Sequence, residues 1–521
     1  PRILVQRAYA KVYLIGAGPG DPELLTLRAR RRLAEADLVL YDALVHPEIL
    51  EHCKEDCERV FVGKRSGQPS IRQARINEAM LEASARGRVV ARLKGGDPYL
   101  FGRGSEEVEW LAAHGVPFEV VPGVPSPAAV TAYAGISLTH RDLASSVAYL
   151  TATESEEKDR SQHDWARLAT ATQTLVIFMG MRKLRSLMEL LQIHGRPADT
   201  PVAVVQWASL PAQRTLVGRL DTIAERAEAA GMGLPALVIV GAVVRLRPQL
   251  RWFDRQALFG KRVLVARPRG QARETSLLLR ERGAEGIELP LLRIESPEDG
   301  GAALREAIGQ LGSYDALIFT SANGVDAFFG ALAESGGDVR RLGAARLFAI
   351  GPQSAARLAL HSLRADGVPK EYRAEAVLEE LRRSYGDELR GKRFLLPRAA
   401  VARDFLPKAL AAEGAHIDVV PTYRTLGPQP EEVERLKGLL RERALDAILL
   451  TSSSTATHLV DALGEDASSL LEGVKLASIG PITTAQAEAL GLQVAITARD
   501  YTGAGLVEAL ASLWPLPAEE V

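Results

Sequence analysis

Short apolar runs alternate with amphipathic stretches along this 521-residue chain. In the first half, residues 11–18 (KVYLIGAG), 36–42 (ADLVLYD), 87–96 (GRVVARLKGG) and 117–123 (PFEVVPG) read as buried strands, with helical spacing of apolar positions between them. A polar, charged break spans 153–165, and strand-like runs resume at 174–180, 201–208 and 235–244. Such alternation predicts an α/β fold. Here it forms two subdomains, about 10–140 and 145–253.

The second half contains an internal repeat. GKRVLVARPRG at 260 is echoed by GKRFLLPRAAV at 391, Leu289-Pro290 by Val420-Pro421, and LIFTSANGV at 317 by AILLTSSST at 447. The pairs Lys261/Lys392, Pro290/Pro421 and Thr320/Thr451 share an offset of 131, and the two Ile-Gly-Pro triplets an offset of 129. A period this long signals two similar domains rather than a solenoid. Each Thr/Ser cluster, and each Ile-Gly-Pro, follows a strand and precedes a helical pattern. Ligands lie at the carboxyl ends of strands in open parallel sheets, so both clusters should line one cleft. Ser and Thr there also serve as helix N-caps, and a cap with spare N–H groups is itself a carboxylate site.

Composition narrows the class. Hydrophobic residues at 47% and charged residues at 25% are ordinary for a globular protein. No apolar run reaches the roughly 18 residues of a membrane span. The first residues run almost directly into a strand rather than a signal peptide, so a cytoplasmic enzyme is expected. A net charge of −1 argues against general nucleic-acid binding. Twelve lysines against fifty-two arginines reflect genome composition or heat adaptation, or else a polycarboxylate ligand that guanidinium forks would grip. Cys53 and Cys57 form a C-x3-C pair without a second cluster, which favours a helical surface segment over a metal site.

The first loop, Gly16-Ala17-Gly18-Pro19-Gly20-Asp21-Pro22, breaks the dinucleotide fingerprint, because Asp21 stands where the third glycine belongs. Asp21 reads as an N-cap and Pro22 as the first residue of a helix. The second loop, Arg92-Leu93-Lys94-Gly95-Gly96-Asp97-Pro98, is more specific: two glycines permit close backbone approach, and Asp97 can accept hydrogen bonds from a ribose or an ammonium group.

These loops, with Asp42 in LYDALV, Lys64 in VFVGKRSG, the segment 120–141, TLVIFMGM, PALVIVGAVV and Leu250-Arg251-Trp252-Phe253, resemble the uroporphyrinogen-III C-methyltransferases of the tetrapyrrole methylase family over about 10–253. The resemblance implies a homodimer through this half, with S-adenosylmethionine as cosubstrate. Its contacts fall on Pro19, Gly95, Gly96, Asp97, Leu100, Pro125, Ser126, Met179, Ala208 and Ala236; Asp42 matches the proton acceptor and Lys64 the proton donor. The chain departs from the family at Pro125-Ser126-Pro127, Thr151-Ala152-Thr153 and Trp207-Ala208-Ser209, all around the cofactor.

Residues 256–521 are similar to uroporphyrinogen-III synthases, through VLVARP, ELPLLRIE, FTSANGV, AIGPQSA, LLPRA, VVPTYRT and SIGPITTAQA. That resemblance implies a bilobal synthase of two parallel-sheet α/β domains joined by two crossing strands, one of 256–290 plus 424–521 and the other of 294–421. It also implies a cofactor-free closure of hydroxymethylbilane. Tyr423 would assist loss of the hydroxyl, and Thr320, Ser321, Gly351, Thr451 and Ser452 would hold acetate and propionate groups. The implied sequence runs from hydroxymethylbilane to uroporphyrinogen III and on to precorrin-2, with no metal and no nucleic-acid or membrane partner. Alternatives are methylation of a later corrin intermediate, a nicotinamide-dependent oxidoreductase, which the broken fingerprint weakens, and a periplasmic-type binding module.

Overall fold

The computed structural model describes residues 9–63, 73–152, 163–267, 269–371, 373–402 and 404–514. Their strands form four five-stranded sheets. The first contains β1 (Val12–Gly16), β2 (Leu38–Tyr41), β3 (Glu58–Phe61), β4 (Val90–Lys94) and β5 (Phe118–Val121), parallel throughout in the order β3-β2-β4-β1-β5. β1 and β4 are buried along their whole length, as strands covered on both faces must be. The second contains β6 (Val147–Thr151), β7 (Thr174–Phe178), β8 (Pro201–Gln206), β9 (Arg214–Arg219) and β10 (Ala236–Val240), in the order β6-β7-β10-β8-β9. Only β6 and β7 pair in parallel there; the other three pairings are antiparallel.

The rest of the chain supplies β11 (Arg262–Val265), β12 (Glu285–Glu288), β13 (Arg293–Glu295), β14 (Ala316–Phe319), β15 (Arg346–Ala349), β16 (Arg393–Ala399), β17 (His416–Leu426), β18 (Ala447–Leu450), β19 (Lys475–Ser478) and β20 (Val494–Thr497). The third sheet runs β12-β11-β18-β19-β20 and the fourth β13-β17-β16-β14-β15. The repeat explains this interleaving. β11, β12 and β14 recur 131 residues later as β16, β17 and β18, and β15 recurs 129 residues later as β19. Each sheet therefore joins the opening strands of one copy to the later strands of the other. β13 and the long β17 pair antiparallel, Arg293 opposite Leu426 and Glu295 opposite Arg424. By its contacts the chain divides into two compact units, 1–263 with 277–286 and 510–521, and 264–276 with 287–509.

Packing sets the helix positions that matter later. Phe328 and Phe329 of helix Ala322–Glu334 pack on Phe319 of β14 with ring centroids 5.6 and 6.1 Å away. Each such buried ring stabilises by about 1.5–3 kcal/mol and fixes the helix start at the carboxyl end of β14.

Three local expectations need correction. Asp21 does cap Pro22, but only a single 3₁₀ turn, Pro22–Leu24, follows; the α-helix is Leu27–Leu33, capped by Thr26. Cys53 and Cys57 are not on a helical surface segment; they follow the 3₁₀ helix Pro47–His52 and lie buried in the core beside Val45 and Ile49. Burial raises both thiols, Cys57 to about 11 with Cys53 adding to the effect. Strands β3, β6 and β9 lie outside the runs read as strands. Among the described residues no group of His, Cys, Asp and Glu could hold a metal, and no helix is long and apolar enough to cross a membrane.

Candidate functional site

Two sets of residues gather the chemistry, one in each half. In the first half, the loops leaving β1, β4 and β5 converge. Gly18 and Gly96 exchange backbone hydrogen bonds (3.1 and 2.6 Å). A Cβ on Gly16 would lie 2.4 Å from the Gly123 nitrogen, and one on Gly123 2.2 Å from the Gly96 carbonyl, so only glycine permits the crossing. Gly96 adopts φ +66° and faces the Ser126 nitrogen, at the start of helix Ser126–Ala134, next to Pro125. Asp97 pins these loops together: its Oδ1 accepts from the Tyr99 nitrogen (2.9 Å) and its Oδ2 from the Gly123 nitrogen (3.1 Å).

The second subdomain meets the same loops. Gly20, next to Pro19, faces the Ala208 carbonyl and the Ser209 hydroxyl, and that hydroxyl accepts from the Asp21 nitrogen (3.1 Å). Phe101, next to Leu100, packs on Phe178, next to Met179, with centroids 4.7 Å apart. Phe101, Met179 and Trp207 are part-exposed non-glycine residues with φ of 54°, 55° and 51°. Left-handed backbone on bulky residues is strained, and such strain clusters at binding sites. Ala236 pairs with Gln206 one residue from this loop, and Gly95 backs onto Leu44.

Asp42 sits at the end of β2, with its side chain 29% exposed, and accepts from Arg92 Nη2 at 2.8 Å. Behind it lies a buried ionic cluster that the sequence reading missed. Glu107, wholly buried on helix Gly104–Ala113, accepts through Oε1 from Arg92 Nε (3.1 Å), Lys94 Nζ (3.1 Å) and Gln73 Nε2 (2.8 Å). Burial pulls the Lys94 ammonium below its ordinary value, although Glu107 opposes the shift. Two carboxylates thus balance two cations, and Asp42 is the member that reaches solvent. Lys64 lies outside the described residues.

In the second half, a cavity of about 830 Å³ is lined by Thr320, Ser321, Gly351, Tyr423, Thr451 and Ser452, so all six predicted residues meet there. The helices Ala322–Glu334, Pro352–Leu360, Ser453–Leu463 and Pro481–Ala489 all begin at its wall. Ser321 caps the first through the Gly324 nitrogen (3.0 Å) and Ser452 the third through the Thr455 nitrogen (3.2 Å). Four helix N-termini facing one space create a field that favours anions. Tyr423 Oη lies 3.0 Å from Ser321 Oγ, and burial raises its phenol, so it stays protonated at neutral pH. Arg267, Asn323, Lys370, Arg373 and Tyr501 also line the cavity and were not anticipated. The VLVARP motif contains Arg267, but motif matching alone gave it no role.

Two family models match the chain: Tetrapyrrole (Corrin/Porphyrin) Methylases over residues 11–224, and Uroporphyrinogen-III synthase HemD over residues 273–508. A siroheme synthase of Azotobacter vinelandii is 49% identical over 249 residues, 48% of this chain and 53% of that protein. The chain spans about half the length of the curated relatives it matches. The uroporphyrin-III C-methyl transferase of Thermus thermophilus, solved with S-adenyl homocysteine, is 42% identical (46% of this chain, 100% of that one, TM-score 0.40). A mutant uroporphyrinogen III synthase, also of Thermus thermophilus, is 21% identical (48% and 98%, TM-score 0.37). One polypeptide thus carries a tetrapyrrole methylase domain and a uroporphyrinogen-III synthase domain.

Proposed function

We propose that this chain is a bifunctional enzyme of tetrapyrrole biosynthesis that closes hydroxymethylbilane to uroporphyrinogen III and then methylates that product twice, giving precorrin-2. The presence of both family matches in one polypeptide carries this reading. The sequence identity to a methyltransferase solved with S-adenyl homocysteine supports S-adenosylmethionine as methyl donor. Gly96, where a side chain would meet only the Ser126 nitrogen at 3.7 Å, leaves main chain open beside the helix start, which suits a cofactor held against backbone. Pro19, Gly95, Gly96, Asp97, Leu100, Pro125, Ser126, Met179, Ala208 and Ala236 would hold it, and when bound it supplies an electrophilic methyl group. In this reading Asp42 takes the proton that the methylated macrocycle loses, Arg92 fixes its carboxylate, and Lys64 is the proton donor. A homodimer forms through the methylase half.

In the synthase half, Tyr423 donates its proton to the departing hydroxyl of the bilane, which leaves as water. The four helix N-termini, with Thr320, Ser321, Gly351, Thr451 and Ser452, bind the acetate and propionate carboxylates. The test supplies purified protein with hydroxymethylbilane and S-adenosylmethionine alone. A dimethylated type III product is expected; an unmethylated type I isomer as sole product refutes the reading.

A further inference from the structure

The repeat places Arg398 of the second copy in register with Arg267 of the first, 131 residues apart. The two arginines have different surroundings. Arg398, its side chain 11% exposed, donates from Nη2 to Asp404 at 2.6 Å. The residue in register with Asp404 is Arg273, so the first copy has a cation where the second has the neutralising carboxylate. Among the described residues no ion pair holds the Arg267 guanidinium. It lies just past the carboxyl end of β11, in the cavity wall that also carries Tyr423.

The arginines buried elsewhere all have partners. Arg92 meets Asp42 and Glu107, Arg196 donates to the carbonyls of Ala169 and Thr172, and Arg247 pairs with Asp254. Burial weighs against the charge of Arg267 and the Glu274 carboxylate offsets only part of that cost without forming an ion pair, so the guanidinium stays protonated with no direct partner. The other charges lining the cavity do not offset it: Glu371 is paired with Arg373 at 2.5 Å, and Lys370 adds a further positive charge. An unpaired, part-buried cation costs stability unless an anion visits it.

We propose that Arg267 anchors a carboxylate of the linear tetrapyrrole in the synthase cavity, a position left open because the first copy lacks the internal partner its duplicate has. This rests on the synthase reading above and adds a specificity-determining cation to it. The planar fork suits a bidentate grip on one acetate or propionate group.

The test compares the unsubstituted 521-residue chain with Arg267→Met, Arg267→Lys and Arg273→Asp. The last puts a carboxylate at the position in register with Asp404 and should occupy Arg267 while leaving its charge in place. Expected are KM values for hydroxymethylbilane roughly 10–100-fold higher for Arg267→Met and Arg273→Asp, with a smaller rise for Arg267→Lys. Arg267→Met should melt no lower than wild type, because it removes an unpaired charge. A KM within about twofold of wild type for both Arg267→Met and Arg273→Asp overturns the proposal. A lower melting temperature with unchanged KM overturns it too, in favour of a structural role. Fluorescence titration with uroporphyrin III reads the anchor without turnover. If the wild type fails to cyclise hydroxymethylbilane but binds uroporphyrin III in an Arg267-dependent manner, the anchor stands and the reaction assignment falls. Binding that is indifferent to Arg267 overturns the anchor whatever the activity.

Discussion

Glu107→Gln tests the energetics of the buried cluster behind Asp42. Glu107 is fully buried, and its Oε1 accepts from Arg92, Lys94 and Gln73, while among the described residues its Oε2 has no partner. Glutamine keeps the shape and one acceptor oxygen but removes the negative charge, leaving Arg92 and Lys94 with Asp42 alone. Breaking a buried pair by removing one partner costs about 3–5 kcal/mol. For a unit of this size each kcal/mol lowers the melting temperature by about 2–4 °C, which gives a loss of roughly 6–20 °C. Scanning calorimetry of the full chain reads this directly. Adding Lys94→Met to Glu107→Gln removes the excess cation, so the double variant should melt above Glu107→Gln alone, a coupling that independent sites would not show. A Glu107→Gln transition within about 2 °C of wild type would refute the reasoning and mean that water or neighbouring dipoles already satisfy the two cations.

Four further outcomes are expected. Asp42→Asn should slow methyl transfer by about 10²–10⁴-fold while S-adenosylhomocysteine affinity, measured by calorimetry, stays within about threefold. Asp97→Ala releases the Tyr99 and Gly123 nitrogens and should weaken S-adenosylhomocysteine binding by about tenfold or more; an unchanged Kd refutes the pinning role. Tyr423→Phe should slow cyclisation, followed by product fluorescence after oxidation, and leave methylation of supplied uroporphyrinogen III intact. The Cys57 thiol, raised to about 11 by burial, stays neutral in the folded protein after it ionises in the unfolded one. Its contribution to stability is therefore complete below about pH 8.5 and is lost as pH rises towards 11, and thiol reagents should label Cys53 and Cys57 quickly only after unfolding.

Legibility in the sequence followed burial. β1, β4 and β14 are buried at every position, and their apolar runs stand out. β3 (ERVF), β6 (VAYLT) and β9 (RTLVGR) lie at sheet edges with exposed or part-exposed residues, so their patterns fade into the surrounding polar chain. The Thr/Ser clusters were visible because a strand end, a cap and a helix start coincide there. Arg267 and Glu107 were not visible, because their significance depends on which charges the fold brings to them: no ion-pair partner in one case, two cations in the other. The Asp21-Pro22 signal was genuine, but it starts a 3₁₀ turn instead of the helix, which Thr26 caps a turn later.

The interleaved sheets also dictate an order of events on the ribosome. The fourth sheet uses strands between Arg293 and Leu426, so it can close as soon as that stretch has emerged. The third cannot: β11 and β12 are made first, but their partner β18 begins at Ala447, about 160 residues after Glu288. At 5–20 residues per second that is a wait of about 8–32 s. Throughout it, the buried face of β11 and its open edge are offered to any other nascent chain, the circumstance in which edge strands aggregate or swap. A pause or truncation between Leu426 and Ala447 would therefore release a chain with one finished lobe and one sticky ribbon. Variants that slow synthesis in that window should lower soluble yield without touching the stability of the finished protein.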